Sequence, residues 1–151
     1  MARALLLGLP LHGRTNPSLP LVPELADRGE EITHYAADAF AGRIAQAGVR
    51  YRAYRNAFLL GIKDLPERMD QLSWLLMRTS AEMLDTELSD FSDGRPDYII
   101  CDAAAPWGRR VAELLGLPAV TSVATFAINR HVLAYGVSRG VTSRPPPCPR
   151  R

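Results

Sequence analysis

Ala4-Leu5-Leu6-Leu7-Gly8-Leu9-Pro10-Leu11-His12-Gly13-Arg14-Thr15-Asn16-Pro17 reads as a strand that ends in a tight turn and opens a helix. Apart from Arg3, the run from Ala2 to Leu9 is apolar throughout, the pattern of a strand buried on both faces of a parallel sheet. Asn16 is placed to N-cap the following helix, with Pro17 at its first position, where a missing N–H costs nothing. Pro23 falls one turn further in, where proline removes a backbone hydrogen bond at a cost of about 3 kcal/mol, so a kink is expected there.

The alternation then repeats. Gly29 ends the first helix, Glu31 to Tyr35 reads as a second strand, Ala39 to Ala47 as a second helix closed by Gly48, and Val49 to Tyr54 as a third strand. Phe58 to Gly61 is an apolar loop. From Leu65 to Phe91, Met69, Leu72, Leu75, Leu76, Met83, Leu84 and Leu88 recur at helical spacing, as one long helix or two broken near Thr79. Tyr98 to Cys101 reads as the fourth strand, Gly108 to Leu115 as a helix capped by Gly116, and Ala119 to Val123 as the fifth strand. Strand and helix in strict alternation predict an α/β domain with a doubly wound, Rossmann-like parallel sheet. That domain is expected over residues 1–135, with a helical stretch from Thr125 to Tyr135. Residues 136–151, rich in Pro and Arg, are expected to form a disordered tail.

A chain of 151 residues has room for one such domain. Net charge is +2 over a mixed pattern, without the basic stripe that nucleic acid requires. Lys63 is the only lysine among eighteen basic residues. Cys101 sits in a strand and Cys148 in the tail, so a disulfide is not expected, and neither shows metal-ligand spacing. The amino-terminal apolar run is too short for a signal sequence or a membrane span, and the expectation is a cytoplasmic protein.

In a doubly wound sheet the first and fourth strands are neighbours whose crossovers leave on opposite sides, and a crevice opens beyond their carboxyl ends. The loops after these strands therefore bring Gly13, Arg14 and Asp102 to one mouth. Gly13 would allow a sharp turn and leave room for a ligand. Asp102, issuing from an apolar strand, has three readings: a cap for the next helix, a partner for Arg109 or Arg110, or an ion-pair partner of Arg14 closing the site. The Gly-x-Gly-x-x-Gly spacing of dinucleotide binders is absent.

Several stretches, taken in order, resemble the macrolide-type glycosyltransferases that use nucleotide sugars. These are His12-Gly13-Arg14-x-Asn16-Pro17-Ser18-Leu19, Arg28-Gly29-Glu30-Glu31-Ile32-Thr33, Pro96-Asp97-Tyr98-Ile99-Ile100-x-Asp102, Pro106-Trp107-Gly108 and Leu117-Pro118-Ala119-Val120. The resemblance implies the amino-terminal, acceptor-binding half of a two-domain GT-B enzyme. It also implies inverting transfer of a sugar from a UDP-sugar to a hydroxyl of a macrolide, lipid or phenolic acceptor. In that family a histidine after the glycine removes the hydroxyl proton, and an Asp after the fourth strand orients it. Asp102 holds the Asp position.

Two departures qualify the resemblance. Arg14 stands at the histidine position, and a guanidinium with a pKa above about 12 cannot accept the proton. His12, the alternative base, lies two residues back along the turn, so its side chain leaves in another direction. The second departure is that nothing in residues 136–151 resembles the family's diphosphate-binding loop. The resemblance thus implies a truncated enzyme, inactive alone, with no cofactor of its own and no metal, whose UDP-sugar would need a donor domain supplied from elsewhere. A non-catalytic binding or regulatory module and one subunit of a split enzyme are the alternatives. Phe58, Leu59, Leu60, Trp74, Met77 and Trp107 are candidates for an apolar acceptor pocket; for Trp74 and Met77, on the long helix, core packing is the simpler expectation.

Overall fold

The computed structural model describes residues 1–64 and 66–124. Five parallel strands, β1 (Arg3–Leu7), β2 (Glu31–Ala36), β3 (Arg50–Ala53), β4 (Tyr98–Asp102) and β5 (Ala119–Ser122), form one sheet in the order β3-β2-β1-β4-β5. Leu5 on β1 registers with Thr33 on β2 and with Ile99 on β4, so β1 is central and the order in which strands are added reverses at the β1/β4 boundary. This is the doubly wound α/β sheet expected from the alternation. The expected helix after Thr125, the tail and Cys148 lie outside the described residues.

The period-2 alternation of β1 divides the core. Leu5 and Leu7 pack with Ile99, Met83, Phe91, Trp107 and Val111 on the face covered by the long helix α5 (Met69–Asp93) and by α6 (Pro106–Leu115). Ala4 and Leu6 face the other way, onto Val22 of α2 (Leu21–Asp27). On that same side Phe40 and Ile44 seat α3 (Ala41–Gln46). At Gly108 an added Cβ would lie 2.5 Å from the Cys101 Cβ, so α6 rests directly on β4 at a position only glycine fits.

Two glycines act as the sequence requires. Gly29 adopts φ +88°, and the N–H of Glu30 donates to the Leu25 carbonyl at 3.1 Å. Gly116 adopts φ +67°, with the Leu117 N–H on the Ala112 carbonyl at 2.8 Å. Both are left-handed helix stops that satisfy otherwise orphaned carbonyls.

The turn after β1 differs from expectation. Helix starts early, as the single turn α1 (His12–Thr15), because the Leu11 carbonyl accepts from both Arg14 and Thr15 N–H. Asn16 is not an N-cap; it ends α1 in a right-handed conformation, and its Oδ1 accepts from Arg43 at 2.7 Å. A 3-10 turn (Asn16–Ser18) follows, and α2 begins afresh at Leu21. Pro23 thereby falls in the first turn of α2, where its absent N–H has no partner to lose, and no kink is needed.

Phe58 to Gly61 is largely not a loop. A one-turn helix, α4 (Ala57–Leu60), is capped by Asn56, whose Oδ1 accepts the Leu59 N–H at 2.8 Å. The fully buried Glu87 fixes this corner: its Oε1 accepts from the N–H groups of Arg55 and Asn56 at 2.8 and 2.6 Å. Helix α5 is unbroken at Thr79, whose hydroxyl donates to the Leu75 carbonyl inside the helix. Among the described residues no helix is long and apolar enough to cross a membrane, and no group of His, Cys, Asp or Glu is placed to hold a metal ion.

Candidate functional site

The site stands at the carboxyl ends of β1 and β4. Leaving β1, the N–H of Gly8 donates to the buried Tyr54 hydroxyl at 3.0 Å, and a Cβ on Gly8 would touch that of Asp102 at 3.4 Å. The turn is therefore pressed against the end of β4, which the spacing of the two loops had implied. Gly13 sits inside α1 with no sharp turn and no left-handed backbone; its missing side chain opens onto free space.

Arg14 and Asp102 meet here, with Nη1 3.6 Å from Oδ1 and both side chains largely buried. Asp102 Oδ1 also accepts the Ala104 N–H at 3.1 Å, a local turn rather than a cap of α6. Arg109 and Arg110 pair with Glu113 instead, which leaves the Arg14 reading of Asp102 as the one realised. Burial pushes the Asp102 carboxyl up, outweighing the Ala104 N–H and the Arg14 charge, which pull it down. Among the described residues its buried Oδ2 has no partner.

The pair lines a narrow recess of about 20 Å³, together with Leu6, Ile100, Ser18 and His34. His34 is buried with Nδ1 unpartnered, and burial lowers its pKa from 6.5 to about 4. The folded protein thus keeps the imidazole neutral, while the unfolded chain takes up a proton below pH 6.5. Its contribution is complete above pH 6.5 and is lost as pH falls toward 4, on the order of 3 kcal/mol in all. Asp102 and Glu87, both raised by burial, work in the opposite sense. Urea unfolding at pH 7 and pH 4.5 should show a smaller loss in His34→Leu than in the parent, with the carboxylates common to both. Parallel losses would mean that the imidazole is not held neutral.

Arg14 also lines a wider cleft, about 1270 Å³ including its open mouth, with Leu11, His12, Gly13, Phe40, Ile62, Lys63 and Asp64. His12 is exposed and stands edge-on to Phe40 with ring centroids 4.8 Å apart.

The expected acceptor residues are scattered. Leu59 and Trp107 are fully buried and belong to the core, because α4 turns Leu59 inward and α6 lays Trp107 against the sheet. The Trp107 indole N–H lies by the Tyr54 hydroxyl without meeting hydrogen-bond geometry. Phe58 is half-buried beneath the Arg78 guanidinium, 4.4 Å from its ring centroid. Leu60 is exposed. Trp74 and Met77 are 60% and 68% exposed, so core packing fails for both; Trp74 lines a separate shallow groove with Pro66 and Gln71. Phe40, Ile62 and Lys63, which sequence reasoning missed, supply the walls beside Arg14. Phe40 follows β2 on the same carboxyl edge, and that position was the available signal.

A parallel sheet with a ligand-sized cleft and a carboxylate near its β1/β4 boundary defines a doubly wound α/β ligand-binding domain. No family model matches the chain. It is 29% identical over 126 residues to the NDP-glycosyltransferase YjiC of Bacillus subtilis (strain 168), covering 82% of this chain and 32% of the relative. It is 31% identical over 144 residues to the demethyllactenocin mycarosyltransferase of Streptomyces fradiae, covering 87% and 31%. The calicheamicin glycosyltransferase CalG4 superposes with a TM-score of 0.73 at 28% identity, over 93% of this chain and 37% of that one. The chain is a homologue of the macrolide-type glycosyltransferases and has the fold of their amino-terminal GT-B domain. It spans about a third of the length of the curated relatives it matches.

Proposed function

We propose that the chain binds a small apolar, hydroxyl-bearing acceptor as the acceptor half of a UDP-sugar-dependent glycosyltransferase, and that by itself it transfers no sugar. The observation carrying this is the Arg14–Asp102 pair, 3.6 Å apart, whose arginine also lines the cleft. Transfer to a hydroxyl needs a base there, and a guanidinium has no lone pair to offer. Asp102 is committed to Arg14 and Ala104 rather than to an imidazole. The domain needs no cofactor of its own, and contacts to the donor diphosphate would come from a further domain or a separate chain.

Arg14 equally suits a non-catalytic binding module, or one subunit of a split enzyme whose partner brings the base. Calorimetry on the purified 151-residue chain tests the main reading: hydroxylated apolar acceptors should give heats of binding, while UDP-glucose should give none. Tight binding of UDP-glucose to this chain would overturn the acceptor-half reading. Transfer restored by mixing with a separately expressed donor domain would establish the split enzyme.

A further inference from the structure

We infer that the cleft that Arg14 lines takes a hydroxylated aromatic or alicyclic acid, its carboxylate held by Arg14 and Lys63. The inference rests on the acceptor reading above and narrows its ligand class. Leu11, Phe40 and Ile62 give the cleft an apolar wall, and its volume accommodates a ligand of a few fused rings. Arg14 and Lys63 against Asp64 leave its ionised lining with a net charge of +1 when His12 is neutral.

Burial sets Arg14 apart from the other long ion pairs: its side chain is 20% exposed, whereas Arg3, Arg78 and Arg109, which stand 3.7 to 3.8 Å from their carboxylates, are 44% to 75% exposed. Arg28, Arg50, Arg68 and Arg110 each donate a hydrogen bond of 2.6 to 2.9 Å to a carboxylate. Arg14 stands 3.6 Å from Asp102, beyond hydrogen-bond length, and the Asp102 oxygen it faces already accepts from Ala104. Among the described residues Arg14 makes no side-chain hydrogen bond and Lys63 makes neither a hydrogen bond nor an ion pair. The guanidinium is thus positioned by Asp102 while its N–H fork stays available. A fork of that kind, on a residue that lines an apolar cleft, is suited to a planar carboxylate, and a charge-assisted pair in a partly dry site outweighs a neutral hydrogen bond. A ligand with only a hydroxyl would leave those donors unfilled.

The test titrates the full 151-residue chain with hydroxynaphthoic acid, its neutral carboxamide and unsubstituted naphthol, by calorimetry. The acid is expected to bind about tenfold tighter than the carboxamide, with the preference falling as salt rises. Arg14→Gln and Lys63→Gln should each reduce that preference while binding of naphthol persists, and the persistence shows that the variants are folded. Equal affinity for all three ligands overturns the acid inference and leaves the acceptor reading standing. An acid preference that survives both substitutions also overturns it, since the carboxylate is then held elsewhere. Failure of all three ligands to bind the parent chain overturns both.

Discussion

Joined to the donor domain of an active relative, the Arg14→His form of this chain is expected to turn over at least about 10²-fold faster than the parent fusion. A positioned general base is worth roughly 10² to 10⁴ in rate, and the parent has none at this place. An imidazole at position 14 would face Asp102, which already carries a hydrogen bond from Ala104 that fixes its orientation. Burial of Asp102 favours a partner that becomes cationic as it takes the proton, because the developing imidazolium then compensates a carboxylate with little water. Adding Asp102→Asn to Arg14→His should therefore remove much of the gain. Initial rates of sugar transfer to a panel of hydroxylated acceptors measure this. Equal turnover by the parent fusion would show that His12 or water serves as base, and that the Arg14–Asp102 pair is not the site of proton transfer.

The fold was legible because its signals are local and redundant. Apolar strand runs, glycine stops at Gly29, Gly48 and Gly116, and strict alternation all point to one topology, so errors of two residues at an element's end leave it intact. The turn after β1 was misread because Asn16-Pro17 fits a capping rule, while the actual helix start comes from backbone hydrogen bonds to Leu11, and Asn16 is engaged instead by a long-range contact with Arg43. No spacing rule contains that contact. The choice between one helix and two near Thr79 stayed open because its hydroxyl's internal acceptor, the Leu75 carbonyl, exists only once the helix forms.

The site was legible as far as topology reaches. Arg14 and Asp102 follow adjacent strands, and adjacency brings them to 3.6 Å. The apolar walls were not legible, since hydrophobicity marks core and pocket residues alike. Leu59 went inward because α4 is pinned by Asn56 and Glu87, two polar residues that carried no hydrophobic signal. Trp74 went outward because α5 turns the Met83, Glu87 and Phe91 face to the core, and Trp74 lies off that stripe.

The second large effect concerns Trp107, and it separates core from pocket directly. The side chain is fully buried among Leu7, Tyr54, Met83 and Val111, and the next residue, Gly108, brings α6 into contact with Cys101. With α6 held that close, the backbone has little freedom to collapse into the space a truncation leaves. Trp107→Ala should therefore cost about 3 to 5 kcal/mol, the range for removing a large aromatic from a rigid core. That is a large fraction of the roughly 5 to 15 kcal/mol that holds a domain together. Trp107→Phe should cost far less, because the indole N–H makes no hydrogen bond to lose and the ring retains most of its contacts. Urea unfolding followed by circular dichroism, which does not depend on the tryptophan itself, measures both. If Trp107→Ala unfolds at the parent midpoint while acceptor binding disappears, the indole faces ligand rather than core, and the packing of α6 on β4 described above is wrong.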